Sequence, residues 1–438
     1  MHPLLGLSIL LAGPSQAEPL TIGQAVQEAI GNAFVVRLGE KDVARADQLF
    51  READGLLRPQ LNMTGSYTRT DGSGTASFGT PGQGGSTVGG LNEFKQFQVT
   101  ASNVIDLTGA ARNGVVARRL QRDSAQETLN AQVNTVKNLV RSQYFTVLQS
   151  VALVTVQQDE LLASRERLKN TRVRHEAGAV SKFDVLRLET EEKRSEQALV
   201  DAEGNLSLAK QGLNNVLGRP IDTQFDAVDV PEIGAIDTDY GRALKLAYAN
   251  RPEIRSGEFS FEAFMRIRKL QQGGSLPVIT VGATWTRVID PFPGQKANSA
   301  QAFLQFTIPL YTSGVTRART ESARQDEERS RINLEQIKHL VSLDVLNALT
   351  KIETASKAYE VALKGRELAT ESLRLAQLRY DEGAGILLDV TTSQTELTRA
   401  QGSVVTAKYQ YLTAVASLQA ATGTDDLTAP KGAEAKVS

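Results

Sequence analysis

Side chains capable of covalent or acid–base chemistry are few in this sequence and badly placed for it. The three histidines, His2, His175 and His339, lie far apart along the chain and suggest no metal cluster. There is no cysteine, which removes disulfides, thiolate nucleophiles and sulfur-ligated metals. Gly82-x-Gly84 sits in a loop with no helix after it, so it is no dinucleotide fingerprint, and no phosphate-binding Gly-x-x-x-x-Gly-Lys-Ser/Thr occurs. The expectation is a protein that is not an enzyme and needs no cofactor or metal. What remains is a pair of turns rich in Gly and acid: Arg174-His-Glu-Ala-Gly178-Ala179-Val-Ser-Lys-Phe-Asp184 and Arg379-Tyr380-Asp-Glu-Gly383-Ala384-Gly385-Ile-Leu-Leu-Asp389. Gly permits the left-handed end of one helix and Asp can start the next. Capping is one reading of Asp184 and Asp389. A carboxylate ring that attracts cations in an oligomer is the other.

The elements that position these turns follow from composition and periodicity. The chain has 438 residues, with 49 Lys and Arg against 50 Asp and Glu, and shows no basic footprint for nucleic acid. Proline is absent from Gly82 to Arg219 and again from Leu310 to Ala429, so more than half the chain is free to be uninterrupted helix. Val133, Val140, Val147, Val154, Leu161 and Leu168 recur every seven residues. Val341, Val345, Ala348, Ile352, Ala355, Tyr359, Ala362, Ala369, Leu373, Ala376 and Tyr380 follow the same seam, which Arg366 interrupts. A sustained heptad predicts long coiled-coil helices, the first of about 60 residues or roughly 90 Å.

The chain reads as a duplication. At an offset of 218, Ala25, Ala29, Asn32 and Gly39 match Ala243, Ala247, Asn250 and Gly257. At an offset of 205, Gly109, Arg112, Arg174, Gly178, Asp184, Val185 and Gly218 match Gly314, Arg317, Arg379, Gly383, Asp389, Val390 and Gly423. The difference of 13 residues (218 − 205) is a longer loop in the first half. The first repeat spans 18–219, with a β-hairpin at 60–105 and helices at 109–174 and 184–216. The second spans 239–424, with a hairpin at 277–309 and helices at 314–380 and 389–421. Residues 220–238 link the repeats and 425–438 form a tail. Leu4 to Ala12 and Ser15-Gln16-Ala17 predict a cleaved signal peptide over 1–17.

Each hairpin alternates with period two. Leu61, Met63, Gly65 and Tyr67 oppose Asn62, Thr64, Ser66 and Thr68; Ile279, Val281, Ala283 and Trp285 oppose Thr280, Gly282, Thr284 and Thr286. Such strands suit a membrane barrel with a polar lumen, or a soluble sheet with one wet face. Four strands cannot close a barrel, and open edges in lipid cost several kcal/mol per unpaired group. Strands placed in a membrane therefore require several chains.

The order of these features resembles the TolC family of outer-membrane efflux proteins. The resemblance rests on the duplication, the hairpins after Pro59 and Pro277, the joints at Asp106–Arg112 and Pro309–Arg317, and the two turns. It implies a mainly α protein with a transmembrane β portion. Long antiparallel coiled-coil helices would form an α-barrel tunnel, and a homotrimer would close a twelve-strand β-barrel. It further implies an exit duct of a tripartite efflux or type I secretion system in the outer membrane of a Gram-negative bacterium, extending into the periplasm. Its partners would be a periplasmic adaptor, an inner-membrane pump of RND, ABC or MFS type, and outer-membrane lipid. With no Cys, an N-terminal thioether lipid anchor is not expected. By motif position Tyr380 and Asp184 resemble residues that hold the entrance shut, and Asp389 a constriction carboxylate. Gly178, Ala179, Gly383 and Ala384 would form the adaptor-docking tips. Gly385 stands where the family has an Arg, and Thr392 where it has a second acid, so the lock must be wired differently. A non-conducting structural or adhesive coiled-coil envelope protein is the rival reading.

Overall fold

The computed structural model describes residues 18–69, 76–78, 86–88, 93–230, 236–291 and 295–424. The expected signal peptide and C-terminal tail lie outside the described residues, as does most of the long loop between Asp71 and Gly90. Strand β1 (Glu18–Leu20) is followed by helices α1 (Ile22–Asn32) and α2 (Phe34–Gly55). Strands β2 (Gln60–Arg69), β3 (Ala76–Phe78), β4 (Ser86–Val88) and β5 (Glu93–Ile105) precede α3 (Ala110–Glu176) and α4 (Lys182–Leu217). The second half contains β6 (Phe225–Ala227), α5 (Tyr240–Asn250), α6 (Pro252–Gln272), β7 (Val278–Ile289), β8 (Asn298–Thr307), α7 (Val315–Asp381) and α8 (Leu387–Thr422). Among the described residues, no helix is long and apolar enough to cross a membrane.

The duplication is visible in element lengths. α3 and α7 have 67 residues each, α4 and α8 have 36, and α1 and α5 have 11. At 1.5 Å per residue the longest helices reach about 100 Å. Three pairs of glycines mark the corners, all in the left-handed region: Gly109 and Gly314 (φ 70° and 81°), Gly178 and Gly383 (76° and 75°), Gly218 and Gly423 (72° and 69°). Each pair is separated by 205 positions, so the sharp bends of one repeat recur in the other without slippage.

The described residues form two compact units, and each draws on both repeats. One takes the described residues up to Lys41, those of Glu127–Ile254 and those from Gln336 onward; the other takes the described residues of Asp42–Gln126 and Arg255–Glu335. In the first unit the heptad seam of α3 is buried: Val140 and Val147 are fully enclosed, and Val154, Leu161 and Leu168 nearly so. Val136, Val140 and Val147 pack with Ala25, Ala29, Leu213 and Leu217. The repeat partners Val341, Val345 and Ile352 pack with Ala243, Ala247 and Leu418. The seam of α7 departs from expectation between Ala355 and Ala369, where it is only half-buried. Alanines there line an open groove with a stretch of α8 that carries Ala400, Gly402 and Ser403 beside the longer Glu396, Arg399 and Gln410. Arg366 is exposed, as the broken heptad suggests.

A short parallel pair, β1 with β6, extends the first unit and was not read from the sequence. Tyr144, fully buried on α3, anchors it: its hydroxyl lies 2.7 Å from the carbonyl oxygens of both Leu20 and Val228. β3 and β4 likewise form a small antiparallel pair inside the segment expected to be loop.

The second unit holds one four-stranded antiparallel sheet in the order β2-β5-β7-β8. The two hairpins are joined through β5 and β7, with Val99 opposite Trp285 and Ala101 opposite Ala283. β2 and β8 are its edges.

Candidate functional site

Two places in the molecule carry features that packing alone does not require: the faces of the sheet and the turns between the long helices.

The register aligns the apolar residues of all four strands. Leu61 faces Ala101, Met63 faces Val99, Val99 faces Trp285, and Val281 faces Leu304. This face is exposed: Leu61 by 74%, Met63 by 69% and Leu304 by 72%, with Tyr67, Trp285 and Phe306 also open. The other face carries Gln96, Gln98, Thr100, Thr284, Thr286 and Gln301 in register. Thr100 and Thr284 approach each other hydroxyl to hydroxyl at 3.3 Å. A soluble sheet buries its apolar face; this one leaves its apolar face exposed, while Thr284 and Val288 on the opposite face are buried. That inversion is the pattern of a barrel wall with lipid outside and water inside.

At the first turn, Gly178 N–H donates to the His175 carbonyl (2.9 Å) and Ala179 N–H to that of Arg174 (2.8 Å). At the second, Gly383 N–H donates to the Tyr380 carbonyl (3.1 Å) and Ala384 N–H to that of Arg379 (2.8 Å). These are matching left-handed helix ends, and all four residues are exposed. His175 adds a brace across the first turn, Nδ1 lying 2.9 Å from the Val180 carbonyl.

The two acids have parted roles. α4 is capped by Ser181, whose hydroxyl accepts from Asp184 N–H (3.2 Å), while the Asp184 carboxylate accepts from Ser181 N–H (3.2 Å) and hydroxyl (2.7 Å). Asp184 is therefore the third residue of a capping box and not the cap itself. In the second repeat Ile386 replaces Ser181, and α8 begins with no side-chain cap. Asp389 N–H donates to the Ile386 carbonyl (3.1 Å), and among the described residues its exposed carboxylate has no partner.

Tyr380 is half-buried and packs on two clusters. One is Leu168, Val185, Leu188 and Leu387; the other is Leu373, Ala376 and Val390. It thereby joins the two helical hairpins. The structure does not bring Tyr380 to Asp184 by a hydrogen bond. It brings Arg174, whose guanidinium lies 5.6 Å from the centre of the Tyr380 ring and donates to Asp381 at 3.1 Å. The Asp381 hydrogen bond raises the Arg174 pKa above its ordinary value, with Tyr380 adding in the same direction. A side chain at 385 would place its Cβ 3.1 Å from the Tyr380 backbone nitrogen, so Gly385 allows the turn to close tightly on Tyr380.

A buried polar link escaped the sequence reading. Glu160 of α3 accepts from Gln394 (2.6 Å) and Thr398 (2.8 Å) of α8 and from Arg167 (2.8 Å). Ser164 and Thr171, three residues beyond Leu161 and Leu168, are buried beside the seam. Polar residues at those second heptad positions were the available signal.

An exposed apolar sheet with open edges, carried on duplicated long helices, defines a multi-chain outer-membrane channel subunit. The outer membrane efflux protein family model matches residues 25–219 and 243–424, and the chain belongs to that family. Members of the family are trimeric outer-membrane channels of Gram-negative bacteria that work with adaptors and inner-membrane pumps. The outer membrane efflux protein BepC of Brucella suis is 26% identical over 96% of this chain and 88% of its own length. The outer membrane protein TolC of Escherichia coli is 23% identical over 96% of this chain and 85% of its own. Among solved structures, the VceC outer membrane protein of Vibrio cholerae superposes with a TM-score of 0.78 at 16% identity, covering 92% of this chain and 96% of that one. The outer-membrane channel OprN gives 0.77 at 16% identity, covering 92% and 89%. These structural likenesses concern the fold.

Proposed function

We propose that this protein is the passive exit duct of a tripartite efflux or type I secretion system, with no reaction of its own. Three copies close a twelve-strand barrel by pairing β2 of one copy with β8 of the next. The observation that carries this reading is the sheet: an exposed apolar face, a polar opposite face, and unpaired edges at β2 and β8. Edge N–H and C=O groups in lipid require partners, and a second and third copy supply them. Gly178, Ala179, Gly383 and Ala384 form the tips on which a periplasmic adaptor docks, linking the duct to a pump of RND, ABC or MFS type. Asp389 contributes one carboxylate per copy to a cation-attracting ring at the entrance. Tyr380, with Arg174 and Asp381, holds that entrance shut, taking the part of the Arg that Gly385 replaces. Asp184 supports the entrance by fixing the start of α4. Purification from outer membranes as a heat-labile trimer that conducts in planar bilayers is the expected result. A soluble monomer, or a trimer without conductance, overturns the proposal and leaves a structural coiled-coil role.

A further inference from the structure

At the end of β5, residues of α2, α3 and α6 and the stretch after α2 line an open apolar pocket of about 590 Å³. Its walls include Leu56, Val104, Val115, Ile267 and Leu270, and its polar members are Arg118 and Gln121. That volume lies within the range of about 300–1,000 Å³ typical of small-molecule sites. No lining residue comes from the edge strands β2 or β8.

Two observations say what kind of molecule it takes. The first is orientation. The β5–β7 register is unbroken from Lys95 to Ile105, so Val104 lies on the face of Gln96, Gln98 and Thr100, opposite to that of Val99 and Ala101. The pocket therefore meets the sheet on its polar face, which is the water-filled side in a closed barrel. The second is charge. Arg118 is exposed, donates to Gln121 at 3.0 Å, and among the described residues has no carboxylate partner. An uncompensated guanidinium at the rim of an apolar pocket favours a ligand with an apolar body and an anionic group.

We propose that this pocket is a binding site in the duct lumen for amphipathic organic anions. The inference rests on the exit-duct reading, because only a closed barrel makes the polar face a lumen. A molecule held there is retained by desolvation of its apolar part and by a charge-assisted hydrogen bond to Arg118, while its remaining surface stays in water. The site would retard amphipathic anions relative to small hydrophilic solutes.

The test uses the full trimer in lipid nanodiscs and two fluorescent probes with one aromatic body: anilinonaphthalene sulfonate, which is anionic, and phenylnaphthylamine, which is neutral. Arg118→Gln removes the charge. Gly114→Leu fills the pocket, since a Cβ at Gly114 points at Leu270 from 3.4 Å and a helical Gly tolerates substitution. Arg118→Gln should weaken the sulfonate by about tenfold, as expected for losing one charge-assisted hydrogen bond, and leave the amine unchanged. Gly114→Leu should abolish saturable binding of both. Binding of both probes unaltered by both variants overturns the proposal. So does a phospholipid that copurifies with the wild type, is lost from Gly114→Leu and blocks both probes, because the pocket would then hold membrane lipid. Planar-bilayer conductance of the same preparation separates the two readings. A conducting trimer with unaltered probe binding sinks only the pocket, whereas a non-conducting one sinks the duct.

Discussion

Arg174, near the end of α3, donates to Asp381, the last residue of α7, at 3.1 Å, and its guanidinium lies 5.6 Å from the Tyr380 ring. One cation of the first repeat thus holds two adjacent residues of the second. Both partners of the ion pair are about half exposed, so each copy contributes no more than about 1 kcal/mol. In the trimeric duct proposed above, three such contacts act on one entrance.

Arg174→Ala and Asp381→Ala should each raise resting conductance in planar bilayers, and the double variant should add little to either alone. Raising the salt concentration should narrow the difference from wild type, because exposed pairs are screened. Additive effects would show that the two residues act separately.

Tyr380→Ala should open the entrance more than Tyr380→Phe. The ring packs on both tip clusters, and Phe preserves that packing while removing only the hydroxyl. Equal single-channel conductance for the two variants would assign the effect to the hydroxyl instead.

Asp389→Asn should lower cation selectivity and weaken block by multivalent cations, whereas Asp184→Asn should change neither. The Asp389 carboxylate is exposed and unpartnered; that of Asp184 is held by Ser181. Reversal potentials in a salt gradient measure this directly. A selectivity loss from the Asp184 variant would mean that its cap opens in the working channel.

Gly218→Ala should destabilise the protein more than Gly178→Ala. Both positions are left-handed, at a cost of about 1–3 kcal/mol for a residue with a Cβ. At Gly178 the added atom meets open space, but at Gly218 it would lie 2.7 Å from the Asn32 carbonyl oxygen. Thermal unfolding midpoints should rank wild type, then Gly178→Ala, then Gly218→Ala. The opposite order would show that the α1–α4 contact yields easily.

Stability should fall as pH rises from about 10 to about 12. Burial, with the nearby Asp229 charge, pushes the Tyr409 hydroxyl up to about 12 from an ordinary 10.0. Burial likewise raises Tyr144. The unfolded chain loses these protons first, so the stabilisation is complete below pH 10 and lost as pH approaches the folded value. Tyr409→Phe should flatten the midpoint-versus-pH curve in that window, and an unchanged slope would place the titration elsewhere.

Much of this architecture is legible in one dimension because it is local. The glycines at 109, 178, 218, 314, 383 and 423 each end or begin an element through their own backbone conformation, and a matched spacing of 205 declares them a repeated set. The heptad from Val140 to Leu168 marks a buried seam wherever a helix runs, and alternation from Leu61 to Tyr67 assigns faces without knowledge of neighbours. Pairings between distant segments were not legible. No local signal sets β5 beside β7, seats Tyr144 under β1 and β6, or joins Glu160 to Gln394 and Thr398. The same holds at the entrance. The duplication makes Asp184 and Asp389 equivalent positions, and the fold shows how their carboxylates differ, because Ser181 engages one and Ile386 cannot engage the other. It also set Arg174 against Asp381 and the Tyr380 ring. Periodicity and backbone preference act over a few residues and survive in the sequence, whereas the partner of a charged side chain is chosen by which helix lies within 3 Å of it, and that distance exists only after folding.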